Sequence, residues 1–131
     1  MIVIDASVLP NVIGDDGGDG DLARSEFRRA DDVAAPDLVD VETVAVLRKR
    51  WIGGSITVRR FASAITDLES IAIVRYPTLP LMRRAHELRD NVTAYDAAYV
   101  ALAETLGCEL LTGDGRLGDA PGPSCPIRVL R

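Results

Sequence analysis

Apolar positions change period several times along the chain, and each change marks an element. Residues 1–4 form a dense run with β-branched side chains that stops at Asp5, which predicts a short buried strand with a carboxylate at its carboxyl end. Residues 6–13 read as a short helix, and 14–20, rich in Asp and Gly, as a flexible loop. Over residues 21–30, Leu22, Ala23 and Phe27 share one side of a helix. Residues 33–35 predict a brief strand stopped by Pro36, after which Asp37 is placed to cap a long helix. In that helix Leu38, Val41, Ala45 and Leu47 recur near the helical period, and Gly53-Gly54 ends it. Ser55 is placed to cap a further helix bearing Val58, Phe61, Ala62, Ile65 and Leu68. Residues 71–74 are a second β-branched run and predict a strand, and Pro77 and Pro80 punctuate the link to a helix reaching Leu88. Thr93 caps a helix over 94–106 that is apolar around nearly its whole girth, which places it at the centre; Gly107 ends it. Residues 109–112 predict a strand, 121–126 a loop and 127–130 a last strand.

Strands alternate with helices from end to end, which predicts an α/β protein with a mostly parallel sheet of four to five strands covered on both faces. The length of 131 residues predicts one domain, residues 1–131. No apolar run is long enough to span a bilayer, and the first residues meet Asp5 with no basic segment before it, unlike a secretory leader. Cys108 and Cys125 are too few for a disulfide framework, so the expectation is a cytoplasmic protein with reduced thiols in which both cysteines pack as small apolar groups.

The formal net charge of −5 argues against a protein that coats nucleic acid, which would be basic. It leaves room for an enzyme that meets a phosphodiester through bound cations. Ligands collect at the carboxyl ends of strands in an open parallel sheet, and two acids fall there: Asp5 after the first strand and Asp114 after Leu110-Leu111-Thr112. Two more interrupt apolar helical stretches, Glu42 between Val41 and Val44, and Asp96 among Tyr95, Ala97 and Ala98. Carboxylates brought together raise one another's proton affinity unless a counter-charge joins them, and a hard divalent cation such as Mg²⁺ or Mn²⁺ resolves the conflict. Singly, each acid also reads as a helix cap, a dipole partner or a surface group; it is their joint placement that points to a site. His86 is the only histidine, which excludes a two-histidine ribonuclease mechanism and a zinc site built on several histidines.

Two further signals are weaker. Arg48-Lys49-Arg50 and Arg59-Arg60 read first as a solvated helix face and second as contacts for RNA phosphates. Asp15-Asp16-Gly17-Gly18-Asp19-Gly20 approaches a calcium-loop pattern, but Gly17 takes the place of an oxygen ligand, so a mobile loop is expected instead.

Four blocks resemble the motifs of PIN-domain ribonucleases, in family order. They are Val3-Ile4-Asp5-Ala6-Ser7, Pro36 with Glu42, the run from Asn91 to Ala103 around Asp96, and Leu110-Leu111-Thr112-Gly113-Asp114-Gly115-Arg116-Leu117. The resemblance covers essentially the whole sequence, is most specific in the third block, and looks like the VapC-type toxins of toxin–antitoxin systems. It implies a three-layer α/β/α fold and Mg²⁺ or Mn²⁺ held by Asp5, Glu42, Asp96 and Asp114. It also implies endonucleolytic cleavage of RNA, a homodimer, and inhibition by a cognate VapB-like antitoxin lying over helices 21–30, 39–51 and 58–68. Ser7 and Thr112 are implied as supporting groups. Arg116, close after Asp114, reads either as a supporting contact for the scissile phosphate or as a surface ion pair. Thr93 reads first as a cap, and Trp51 as either a partner contact or a packed rim residue. The alternatives are a catalytically inactive interaction domain of the same fold and a phosphate-accepting receiver domain. The second needs an acidic pair near the first strand and a late lysine, whereas Lys49, in mid-chain, is the only one.

Overall fold

A computed structural model describes all of residues 1–131. The dense apolar runs become strands: β1 (Ile2–Ile4), β2 (Val33–Pro36), β3 (Val74–Tyr76), β4 (Glu109–Thr112) and β5 (Ile127–Val129). They form one sheet in the order β3-β2-β1-β4-β5, and every pairing is parallel. Seven helices connect them: α1 (Leu9–Gly14), α2 (Gly18–Arg29), α3 (Leu38–Ile52), α4 (Val58–Ser70), α5 (Met82–Glu87), α6 (Ala94–Leu106) and α7 (Gly115–Asp119). The chain steps outward from β1 to β3, then returns past β1 to β4 and β5. Right-handed crossovers therefore put α1 to α4 on one face and α5 to α7 on the other, giving three layers. The packing agrees, with α1 against α2, α3 and α4, and α5 against α6. No helix is long and apolar enough to cross a membrane.

The central position expected for α6 is observed. Ala97, Ala98, Tyr99, Val100, Ala101, Leu102 and Ala103 are all buried, and the helix packs on β1, β2 and β4. Thr93 caps it by accepting from the Asp96 N–H at 3.2 Å, and Gly107 closes it in the left-handed region at φ 66°, where a residue lacking Cβ is unstrained.

Several boundaries differ from the sequence expectation, and those of β3 and the start of α3 do so for a non-local reason. The ladder with Ala34 to Pro36 sets β3 at Val74–Tyr76 rather than over 71–74. Ile73 donates to the Ile71 carbonyl at 2.9 Å, a tight turn that takes these residues out of the ladder while Ile73 still reaches the core. Asp37 does not cap α3 with its side chain; its Oδ1 accepts from the Thr78 N–H and hydroxyl, and the Thr78 Oγ1 accepts from the Leu38 N–H instead. Thr57 rather than Ser55 caps α4, accepting from the Arg60 N–H at 3.0 Å. Helix α7 was not expected, and β5 ends at Val129, one residue early.

The acidic Gly-rich stretch is not the mobile loop expected of it. Helix α2 begins at Gly18. The Asp15 Oδ1 accepts from the Gly17 and Gly20 N–H groups, Arg24 donates to the Asp15 carbonyl at 2.7 Å, and Arg60 binds both Asp16 oxygens at 3.0 Å. These carboxylates are used within the fold, which removes the calcium-loop reading.

Candidate active site

All strands run parallel, so their carboxyl ends share one edge, and the site forms there. The direction of travel reverses between β1 and β4, and a crevice opens at such a switch point. Asp5 leaves β1 and Asp114 follows β4 on the two sides of it. Helix α3 starts at the same edge after β2 and brings Glu42 in its second turn. Helix α6 must enter at this edge to deliver the chain to the start of β4, so its first turn brings Asp96. All four predicted acids, with Ser7, therefore line one cleft of about 490 Å³, together with Ala6, Val41, Ala45, Val46, Lys49, Tyr95 and Tyr99.

Asp5 is 4% exposed and fully engaged. Its Oδ1 accepts from the Ser7 N–H at 2.9 Å and hydroxyl at 2.5 Å, and its Oδ2 accepts from the Thr112 hydroxyl at 2.5 Å. The same two hydroxyl oxygens accept from the Gly113 N–H (2.7 Å, to Ser7) and the Asp114 N–H (3.1 Å, to Thr112), tying the β1 carboxylate to the turn after β4. Glu42 accepts from the Tyr99 phenol at 2.7 Å. Asp114 caps α7, accepting from the Arg116 N–H at 2.9 Å. Its cap role is therefore real, and it coexists with a place on the cleft wall.

The electrostatics separate these acids from ordinary surface carboxylates. Burial raises the proton affinity of Asp5, against the lowering effect of the Ser7 and Thr112 hydrogen bonds, and the Asp96 charge raises it further. Burial also raises Glu42, with the Asp96 and Asp5 charges adding to it against the Tyr99 bond. Asp96 is raised by burial and then by Asp114. Asp114 alone is lowered, chiefly by the Arg116 backbone N–H. No ion pair in the molecule involves Asp5, Glu42 or Asp96; Asp114 has one, to a 94% exposed Arg116 at 3.4 Å. Three half-buried to buried carboxylates thus face a cleft with no protein counter-charge bound to them.

No three His, Cys, Asp or Glu side chains are gathered into a ready-made ligand cage. The acids stand around the cleft wall, each held by its own donors. That spacing suits a hard, hydrated cation such as Mg²⁺, which keeps several waters and takes one or two carboxylates directly. The all-oxygen donor set and the unneutralised charge fit such an ion.

Tyr95 and Tyr99 were not expected at the site, and Lys49 only by the second reading of its basic cluster. Glu42, Ala45 with Val46, and Lys49 fall at helical spacing on one face of α3, a signal legible in the sequence. Of the basic clusters only Lys49 lines this cleft. Arg50 is engaged with Asn11 at 2.6 Å, and Arg60 with Asp16 and the Ile13 carbonyl. Trp51 is 43% exposed and rests on Phe61, ring centroids 6.4 Å apart, so it packs at the rim with one side open.

Fold and cleft together define a doubly wound α/β protein with an acid-lined crevice at its switch point. Comparison with known proteins narrows this class. Residues 2–123 match the PIN domain family. Ribonuclease VapC9 of Mycobacterium tuberculosis (strain ATCC 25618 / H37Rv) is 38% identical over 130 residues, which is 99% of this chain and 98% of that protein. Ribonuclease VapC1 of the same strain is 36% identical over 130 residues, 98% of this chain and 97% of that protein. The crystal structure of Mycobacterium tuberculosis VapC20, described as a sarcin-ricin loop cleaving toxin, shares the fold with a TM-score of 0.70 at 17% identity, over 91% of this chain and 94% of that one. The chain belongs to the PIN-domain family and, within it, groups with the VapC ribonucleases.

Proposed function

We propose that this chain is a Mg²⁺- or Mn²⁺-dependent endoribonuclease, the toxin half of a VapBC-like pair, working as one PIN domain in the cytoplasm. The observation that carries the reading is the meeting of Asp5, Glu42, Asp96 and Asp114 around one cleft, three of them outside every ion pair of the molecule and raised by burial. These four would hold the ion. When bound, it supplies Lewis-acid stabilisation of charge on the scissile phosphate and a more acidic water.

The chain's own groups do the positioning. Ser7 and Thr112 fix the Asp5 rotamer, and Tyr99 fixes Glu42, so these carboxylates present a set face to the cleft. Lys49 on the wall and Arg116 at the mouth give an otherwise acidic protein two cations for RNA phosphates. Exposed Tyr95 and Val41 provide an apolar wall beside them, where an unstacked base of single-stranded RNA would fit. An open cleft of this kind needs an inhibitor, which we take to be a cognate VapB-like antitoxin, and the active unit is a homodimer. No feature of the cleft favours an inactive interaction domain, since all four acids line it, and family membership sets the receiver reading aside.

The test is RNA cleavage by the purified chain. Cleavage should need Mg²⁺ or Mn²⁺, stop with EDTA and return with excess ion. Undiminished cleavage in EDTA would contradict the reading.

A further inference from the structure

Cys108 and Cys125 stand at the edge of the sheet opposite the acids. Strands β4 and β5 pair at a constant offset, Leu110 with Ile127, Leu111 with Arg128 and Thr112 with Val129. The same offset carried back along both chains sets Cys108 against Cys125. Residues so placed in adjacent parallel strands lie about 4.8 Å apart, inside the roughly 4.4–6.8 Å Cα separation that a disulfide spans. The ladder stops before them because Pro126 has no N–H and the Cys108 N–H donates to the Ala103 carbonyl at 3.1 Å. The chains nonetheless stay side by side. Leu110 donates to the Pro126 carbonyl at 2.9 Å, and the Glu104 carboxylate accepts from the Ser124 N–H and hydroxyl at 2.7 and 2.6 Å. In keeping with the register, burial first and then the Glu104 charge raise the Cys125 thiol, and the Cys108 charge adds to them. Both thiols are free and partly buried against the core.

We propose that Cys108 and Cys125 are a redox modification site, closing a reversible disulfide between the last two strands when a peroxide is the oxidant. The first thiolate attacks a peroxide oxygen; the O–O bond breaks, one water leaves, and a sulfenic acid forms. The second thiolate attacks that sulfur; the S–S bond forms, the S–O bond breaks and a second water leaves. Two thiols lose two electrons and two protons, and one hydrogen peroxide becomes two waters. Burial holds both thiols above their ordinary range and makes the reaction slow, while the Met1 ammonium near Cys108 favours its thiolate as the first attacker. The bond would enclose β4, the Thr112–Asp114 turn and α7, and fasten the start of the edge strand β5 that follows Cys125, at the end of the sheet away from the acids. This inference is independent of the nuclease reading.

The test oxidises the reduced full chain with hydrogen peroxide. Expected are loss of both titratable thiols, an intact mass lower by two hydrogen atoms, a Cys108–Cys125 cross-linked peptide, and a melting midpoint raised on the order of 10 °C that reductant reverses. Cys125→Ser should keep one thiol, gain oxygen instead of losing hydrogen, and show no such rise. Cross-links only between chains, separate oxyacids at both cysteines, or two thiols persisting under excess peroxide would each overturn the proposal.

Discussion

Replacing Asp96 or Asp5 with asparagine is expected to lower RNA cleavage by about 10³-fold while the chain stays folded. Loss of one group that stabilises charge in a water-poor site removes about 3–4 kcal/mol from the transition state, which corresponds to that factor. Asn keeps the shape of the side chain, so the Ser7 and Thr112 contacts around position 5 can re-form with their hydroxyls turned. The same substitution should change the pH dependence of stability in metal-free protein. Asp5 and Asp96 titrate above the ordinary Asp value of 3.8 and Glu42 above the Glu value of 4.5 in the folded chain. A carboxyl held above its unfolded value binds protons better when folded. Its contribution is therefore present at low pH and lost as pH rises through the folded value. The acids shifted the other way, Glu104 to about 2 with Asp16, Glu26 and Asp114 also lowered, are already ionised by about pH 5 in both states. Metal-free wild type should thus melt lower near pH 8 than near pH 5, and Asp5→Asn or saturating Mg²⁺ should reduce the fall. Wild-type cleavage rates in both asparagine variants, with an unchanged pH–stability slope, would contradict this account of the cleft.

Gly20→Ala is expected to destabilise the fold by about 3 kcal/mol, the upper end for overpacking. A Cβ at Gly20 would sit 1.8 Å from the Asp15 carbonyl oxygen and 2.7 Å from its carbon. These are backbone atoms, and the Asp15 bonds to Gly17, Gly20 and Arg24 leave them no room to move. Gly18, two residues earlier, has nothing within 4 Å of its Cβ position, so Gly18→Ala should change stability by less than about 0.5 kcal/mol. Denaturant midpoints of the two variants separate a fitted joint from a permissive loop; equal midpoints would show that α1 and α2 do not meet as described.

The contrast between these glycines shows where sequence reading reached its limit. Elements with a strong local signal were legible: the apolar run before Asp5, the Leu110-Leu111-Thr112 run before Asp114, and α6 between Thr93 and Gly107. Because parallel strands share an edge, those alone predicted that Asp5 and Asp114 would meet. Features set by distant partners were not legible. Thr78 replaces Asp37 as the α3 cap from forty residues away, and β3 takes its bounds from β2 rather than from its own β-branched run. Tyr99 is buried, and its hydroxyl finds Glu42 fifty-seven positions earlier, a pairing that no local pattern announces. Cys108 and Cys125, two unrelated thiols in the sequence, become neighbours only through the register of β4 and β5.

The account rests on the cleft between β1 and β4 as a place for a divalent cation. Anomalous diffraction from crystals soaked in Mn²⁺ measures this directly. The account predicts a peak inside the cleft, bound by oxygens of Asp5, Glu42, Asp96 or Asp114 and lost in Asp96→Asn. Manganese found only elsewhere on the surface, with the cleft vacant at saturating ion, would contradict it.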